Sequence, residues 1–180
     1  MFATAALPLG VFAQAASRQL DTTVSRDVRV TEPARPMKKA DRDFFEKAAK
    51  AGHSEVAISR VAAARTSNPE VRQLAQMMIE DHEKASDELA ALAVNCGVTL
   101  PAKELREDKW EKRDAKSFDK DYLAKMVSDH EDVVKLFEKQ AKDGNDVETV
   151  AFARKYLPTM QAHLQHAMDL KRALSEKPRR

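Results

Sequence analysis

Apolar residues recur at three- and four-residue spacing along four long stretches of the chain, and no run alternates β-branched and polar residues as a strand would. The pattern predicts four amphipathic helices. The first is expected from about Arg42 to Arg65, with Asp41 or Asp43 as N-cap and capping-box spacing from Asp43 to Glu46. Its inner face reads Phe45, Ala48, Gly52, Glu55, Ser59 and Ala62, small enough for another helix to approach closely around Glu55. Asn68-Pro69-Glu70 opens the second: Asn caps orphan amides, Pro tolerates the first helical position, and Glu suits the positive end. The stripe Val71, Leu74, Met78, His82, Ala85, Leu89, Leu92 and Cys96 then holds its spacing until Gly97, a natural stop.

The third helix, about Phe118 to Lys142, carries Phe118, Tyr122, Met126, His130, Val133, Phe137 and Ala141 on one face. Asp146 caps the fourth, about Val147 to Leu174, whose inner positions include Val150, Leu157, Met160, His163, Ala167 and Leu170. Pro158 inside it removes one backbone hydrogen bond and is expected to kink or widen the helix. Between the pairs, Val98 to Lys116 is expected to be a crossover carrying a short helix around Trp110. Its reach, up to roughly 60 Å when extended, allows it to run end to end or fold back locally. The fold class expected is all-α, a ferritin-like four-helix bundle with a crossover segment.

One recurrence adds chemistry to this pattern. Met78-Ile79-Glu80-Asp81-His82-Glu83 returns as Met126-Val127-Ser128-Asp129-His130-Glu131, each copy in mid-helix with its histidine on the apolar stripe. An old duplication that buries an imidazole on each of two helices explains both copies.

Residues 1–16 are uncharged and mostly apolar and close on Ala13-Gln14-Ala15, a pattern signal peptidase accepts. They are expected to be a secretory signal, which implies a periplasmic location. The polar stretch 17–40, with Pro33 and Pro36, is expected to be a flexible tether, and residues 41–175 the bundle domain. No further segment is apolar enough to cross a bilayer.

Charge changes the picture by exclusion. With 31 basic and 29 acidic residues the chain is close to neutral, so nucleic acid is not an expected partner. Cys96 is the lone cysteine, which rules out an intramolecular disulfide and suits a small buried side chain better than a reactive thiol.

Several motifs together resemble a known family. They are Phe44-Phe45 and Gly52-His53-Ser54-Glu55, Met78-x-x-Asp81-His82, Phe118-Asp119-x-x-Tyr122 leading to Met126-x-x-x-His130, and Leu157-Pro158 with His163. Over about Asp41 to Leu174 the chain resembles the bacterial domain of unknown function 4142. That resemblance implies a ferritin-like bundle behind a secretory signal, often labelled an outer-membrane protein, and supplies no reaction, substrate or metal.

Glu55, His82, His130 and His163 come one from each helix and form a carboxylate-imidazole set that zinc, iron or copper would accept. Counting about 1.5 Å per residue from the turns puts Glu55 and His82 at one level and leaves His130 and His163 about 7 Å apart. Ferritin-like di-iron sites need Glu-x-x-His, and Ile79, Val127 and Met160 stand where those glutamates would be. No di-metal cage is therefore expected. The alternatives are a buried hydrogen-bond network that fixes helix register and a single-metal site, and the network is the favoured expectation. Asp81 and Asp129 sit one position off the stripe and read as caps or surface charges. Met77, Met78, Met126, Met160 and Met168 read as core filler before they read as cuprous ligands, and His163-x-x-His166 alone is weak.

No nucleophile constellation or phosphate loop is present, so an enzyme is not expected. First among function classes stands a non-catalytic envelope protein that acts through its bundle surface, with an unknown protein or itself as partner and no cofactor. Second stands a protein that binds or buffers a single transition metal.

Overall fold

The computed structural model describes residues 37–102 and 108–176. The expected signal and nearly all of the expected tether lie outside the described residues. Four long helices are present: α1 (Lys39–Arg65), α2 (Pro69–Asn95), α4 (Phe118–Asp143) and α5 (Val147–Glu176), with a single turn, α3 (Asp108–Glu111), between the pairs. Helices α1 and α2 form one hairpin and α4 and α5 the other; α1 lies along α4 and α2 along α5. The fold is all-helical, and among the described residues no helix is long and apolar enough to cross a membrane.

Two start signals act as predicted. Asn68 Oδ1 accepts the amides of Glu70 at 2.9 Å and Val71 at 3.4 Å, and Asp146 Oδ1 accepts the amide of Thr149 at 2.9 Å. Gly97 ends α2 with φ of 64°, while the amides of Gly97 and Val98 return to the carbonyls of Val94 and Ala93. That is a Schellman stop, and a side chain there would strain the left-handed backbone.

The start of α1 differs from expectation. It begins at Lys39, within the stretch read as tether, and its first residue follows Lys38, whose side chain caps nothing. Asp41 is buried and serves another element: its Oδ1 accepts Gln140 Nε2 at 2.8 Å and the Asn145 amide at 3.0 Å. A carboxylate that looked like a helix cap instead ties the α4–α5 turn to the first turn of α1. Helix α5 runs through Pro158 as one element, the missing amide leaving the carbonyl one turn earlier without its helical donor.

The core divides into two apolar clusters. One gathers Phe44, Phe45, Leu89, Ala93, Phe137 and Phe152, from the start of α1, the end of α2, the end of α4 and the start of α5. The other gathers Val61, Val71, Leu74, Trp110, Phe118 and Leu123, at the opposite end. Helix α2 therefore ends beside one cluster and α4 begins in the other, so the crossover runs the length of the bundle. Arg65 holds its far part, donating to the carbonyls of Trp110 at 2.6 Å, Glu111 at 2.8 Å and Arg113 at 2.7 Å. Between the two clusters lies a belt of buried polar side chains: Glu55, Ser59, His82, Tyr122, His130 and His163.

Candidate metal centre

Each helix brings its polar residue to the belt by stripe position, because side chains three and four residues apart share a face. The rings of His82, His130 and His163 stand with centroids 5.3 to 5.4 Å apart in all three pairings. One nitrogen from each lies within 4.8 Å of the others. Counting helical rise from Gly144 had separated His130 from His163, but the turn before α5 is not helical and adds little rise. From the helix ends the mismatch falls to about 4.5 Å, which side-chain reach absorbs.

Glu55 stands outside that group of three. Its Oε2 is 3.1 Å from His82 Nδ1 and its Oε1 3.5 Å from His130 Nδ1, neither aligned as a hydrogen bond. The carboxyl thus meets the outer edges of two imidazoles whose Nε2 atoms face each other at 3.3 Å.

The other outer nitrogens are held. His130 Nδ1 donates to the Met126 carbonyl at 3.0 Å, one turn back on its own helix. His163 Nε2 donates to Asp81 Oδ2 at 2.9 Å across the α2–α5 contact. These bonds leave a lone pair on His130 Nε2 and on His163 Nδ1, and the latter is buried with no hydrogen-bond partner. Asp81 therefore orients a ring on a neighbouring helix, a role its off-stripe position had concealed. Asp129 pairs with Lys125 at 2.7 Å.

Burial pushes the His82 imidazole well below the usual histidine range, and the neighbouring His130 and His163 push it further. His130 falls to about 4 through burial and the nearby His163, against an opposing pull from the Met126 carbonyl. His163 is also lowered by burial, with Asp81 working the other way. Burial raises the Glu55 carboxyl well above the usual carboxylate range, Asp129 adding to it and Lys125 opposing. All three imidazoles are consequently neutral at pH 7, the form a metal ion requires, so no proton need be displaced from them. The cluster could coordinate a single transition-metal ion.

The remaining sequence candidates lie elsewhere. Met78, Met126 and Met160 are buried in the apolar clusters, while Met168 is exposed. His166 is half-buried and outside the group of three. Cys96 is half-buried with Sγ 4.0 Å from Glu148 Oε2, and burial, then Asp146 and Glu148, raise its thiol. That environment opposes thiolate chemistry.

The family model described as "Domain of unknown function (DUF4142)" matches residues 28–170. The chain belongs to the DUF4142 family. The family's description assigns no catalytic activity. No curated protein matches the chain. Among solved structures the fold is similar to a DUF305 fragment from Deinococcus radiodurans, at TM-score 0.66 and 13% identity over 76% of this chain and 98% of that one. Such a likeness concerns the fold alone, and it agrees with the helical architecture of this DUF4142 chain.

Proposed function

We propose that this DUF4142 protein is a non-catalytic envelope protein that holds one first-row transition-metal ion between His82, His130 and His163. Asp81 and the Met126 carbonyl orient two of the rings from outside, as acceptors behind metal-bound imidazoles do, and Glu55 stands beside Nδ1 of the third. The observation that carries the reading is the convergence of three buried imidazoles, one of them with an unpartnered nitrogen. One of the three nitrogen pairs supports it by distance as well, the full set lying within 4.8 Å. Two ligands on a tetrahedral zinc at about 2.0–2.1 Å stand about 3.3–3.4 Å apart. His82 Nε2 and His130 Nε2 are separated by 3.3 Å.

The hydrogen-bond network remains the second reading, because a proton on His82 Nε2 would make that same contact a hydrogen bond. It would need a protonated Glu55 carboxyl to donate a hydrogen bond to His82 Nδ1. This arrangement leaves the buried His163 Nδ1 without a hydrogen-bond partner, a cost of about 1–3 kcal/mol. An ion removes the cost and favours an ionised Glu55 beside it. Export through the signal expected in residues 1–16 would put the site in the periplasm, where the ion would be bound or buffered.

Cobalt(II) titration tests the proposal. The full chain should take up one equivalent and develop the strong visible absorption of tetrahedral cobalt, which His82→Gln/His130→Gln should lose. Cobalt that stays spectroscopically aqueous, or an equal response in both proteins, would refute it.

A further inference from the structure

Glu55 also lines a groove outside the imidazole cluster. It runs between α1 and α4 and holds about 610 Å³, within the size range of small-molecule sites. Its floor is apolar, made by Ala51, Val133 and Leu136. Five lysines border it: Lys47, Lys50, Lys125, Lys135 and Lys139. The rim acids Asp129 and Asp132 are engaged by Lys125 at 2.7 Å and by Lys135 at 3.7 Å. Lys47 and Lys139, from facing helices, make no ion pair among the described residues and also border the next groove toward the α4–α5 turn. Glu55 closes the inner end, and its buried carboxyl oxygens lack an aligned hydrogen bond.

An apolar floor beneath two ammonium groups that close no ion pair, with Asp43 the nearest acid acting on Lys47, suits an anion that carries a hydrocarbon body. Lysine stems add to the apolar wall while their heads stay at the rim. A bare phosphate would gain nothing from the floor, and a neutral alkane nothing from the rim. Five basic residues also discourage a metal cation from using this groove as its route.

We propose that the α1–α4 groove binds a free medium-chain fatty carboxylate, with its alkyl chain on Ala51, Val133 and Leu136 and its head between Lys47 and Lys139. The proposal does not rest on the metal reading, although Glu55 borders both places. Octanoate titrated into the full chain, followed by calorimetry and amide NMR, tests it. Saturable one-to-one binding with shifts confined to α1 and α4 is expected. Lys47→Glu/Lys139→Glu, two exposed changes, should weaken it by about tenfold or more. Leu136→Asp should weaken octanoate while leaving helicity intact, and 1-octanol and inorganic phosphate should each bind far more weakly than octanoate. Absence of saturable binding would overturn the proposal, as would indifference to the double charge reversal or equal binding of phosphate. So would association with anionic phospholipid vesicles in the absence of octanoate binding, which would make the lysine face a membrane contact.

Discussion

Asp81 on α2 accepts a 2.9 Å hydrogen bond from Nε2 of His163 on α5, so a half-exposed carboxylate fixes the orientation of a fully buried ring. The bond decides which nitrogen of His163 carries the proton and leaves Nδ1 to the interior. Asp81→Ala should therefore weaken metal binding about 10- to 100-fold, the usual loss when an outer partner of a ligating histidine is removed. Competition titration against a zinc indicator would measure it. Helicity should be unchanged, and an unchanged affinity would mean that Asp81 does not orient the ligand.

Asp41 is predicted to matter for stability, through the α4–α5 turn it ties down. Asp41→Ala leaves one N–H of the buried Gln140 amide without its acceptor, the other still bonded to Thr149 Oγ1, and frees the Asn145 backbone amide to water, at a cost of about 1–3 kcal/mol in all. Urea unfolding should show the loss, and hydrogen exchange should quicken first in residues 140–149. A neutral result would place water where the carboxylate now sits.

Leu89 is 2% exposed and packs in the cluster with Phe44 and Phe137. Leu89→Ala should cost about 2–5 kcal/mol through the cavity it leaves. Lys84→Ala, on the exposed face of the same helix, should change stability by less than about 0.5 kcal/mol. Equal effects at the two positions would put the register of α2 in error.

The ion-free protein should lose stability in acid. His130 titrates at about 4 in the folded chain against an ordinary 6.5, so between these values the unfolded state binds the proton and the folded state does not. Stability therefore rises with pH across that window and falls as pH drops through it, by about 3 kcal/mol for this group. Glu55, raised on folding, acts in the opposite sense: its contribution is present at low pH and is lost as pH rises through its folded value. In chelator-treated protein, His130→Gln should flatten the fall in unfolding free energy between pH 6.5 and 4. The same slope in both proteins would show that His130 is not the group being protonated.

The helices were legible because each element is specified locally. Asn68, Asp146 and Gly97 cap or stop their helices with their own side chains and dihedrals, and the apolar stripes of α2 and α4 continue to within two residues of the observed ends. The three histidines were legible for the same reason: a polar residue on an apolar stripe has to meet its counterparts. Asp41 and Asp81 were not, because each acts on an element distant in sequence, Asp81 on a residue 82 positions away and Asp41 on one 99 away. The crossover's path was hidden as well, since its length permits either route and only the packing of Trp110 on Phe118, beyond Arg65, selects one. The groove lysines lie on two helices whose facing sides no single stripe reveals.

The most direct test of the central claim is the metal content of the full-length protein, freshly purified from its native compartment without chelator, beside His82→Gln/His130→Gln prepared in parallel. A metal centre requires close to one transition-metal ion per wild-type chain and essentially none in the variant. It also requires a thermal stabilisation of the stripped wild type on adding zinc, following RT ln(1 + [L]/Kd), that the variant lacks. Wild-type protein that is metal-free as purified and gains no stability from zinc, copper or iron would contradict it, and the three imidazoles would then be a hydrogen-bond network that fixes the register of the bundle.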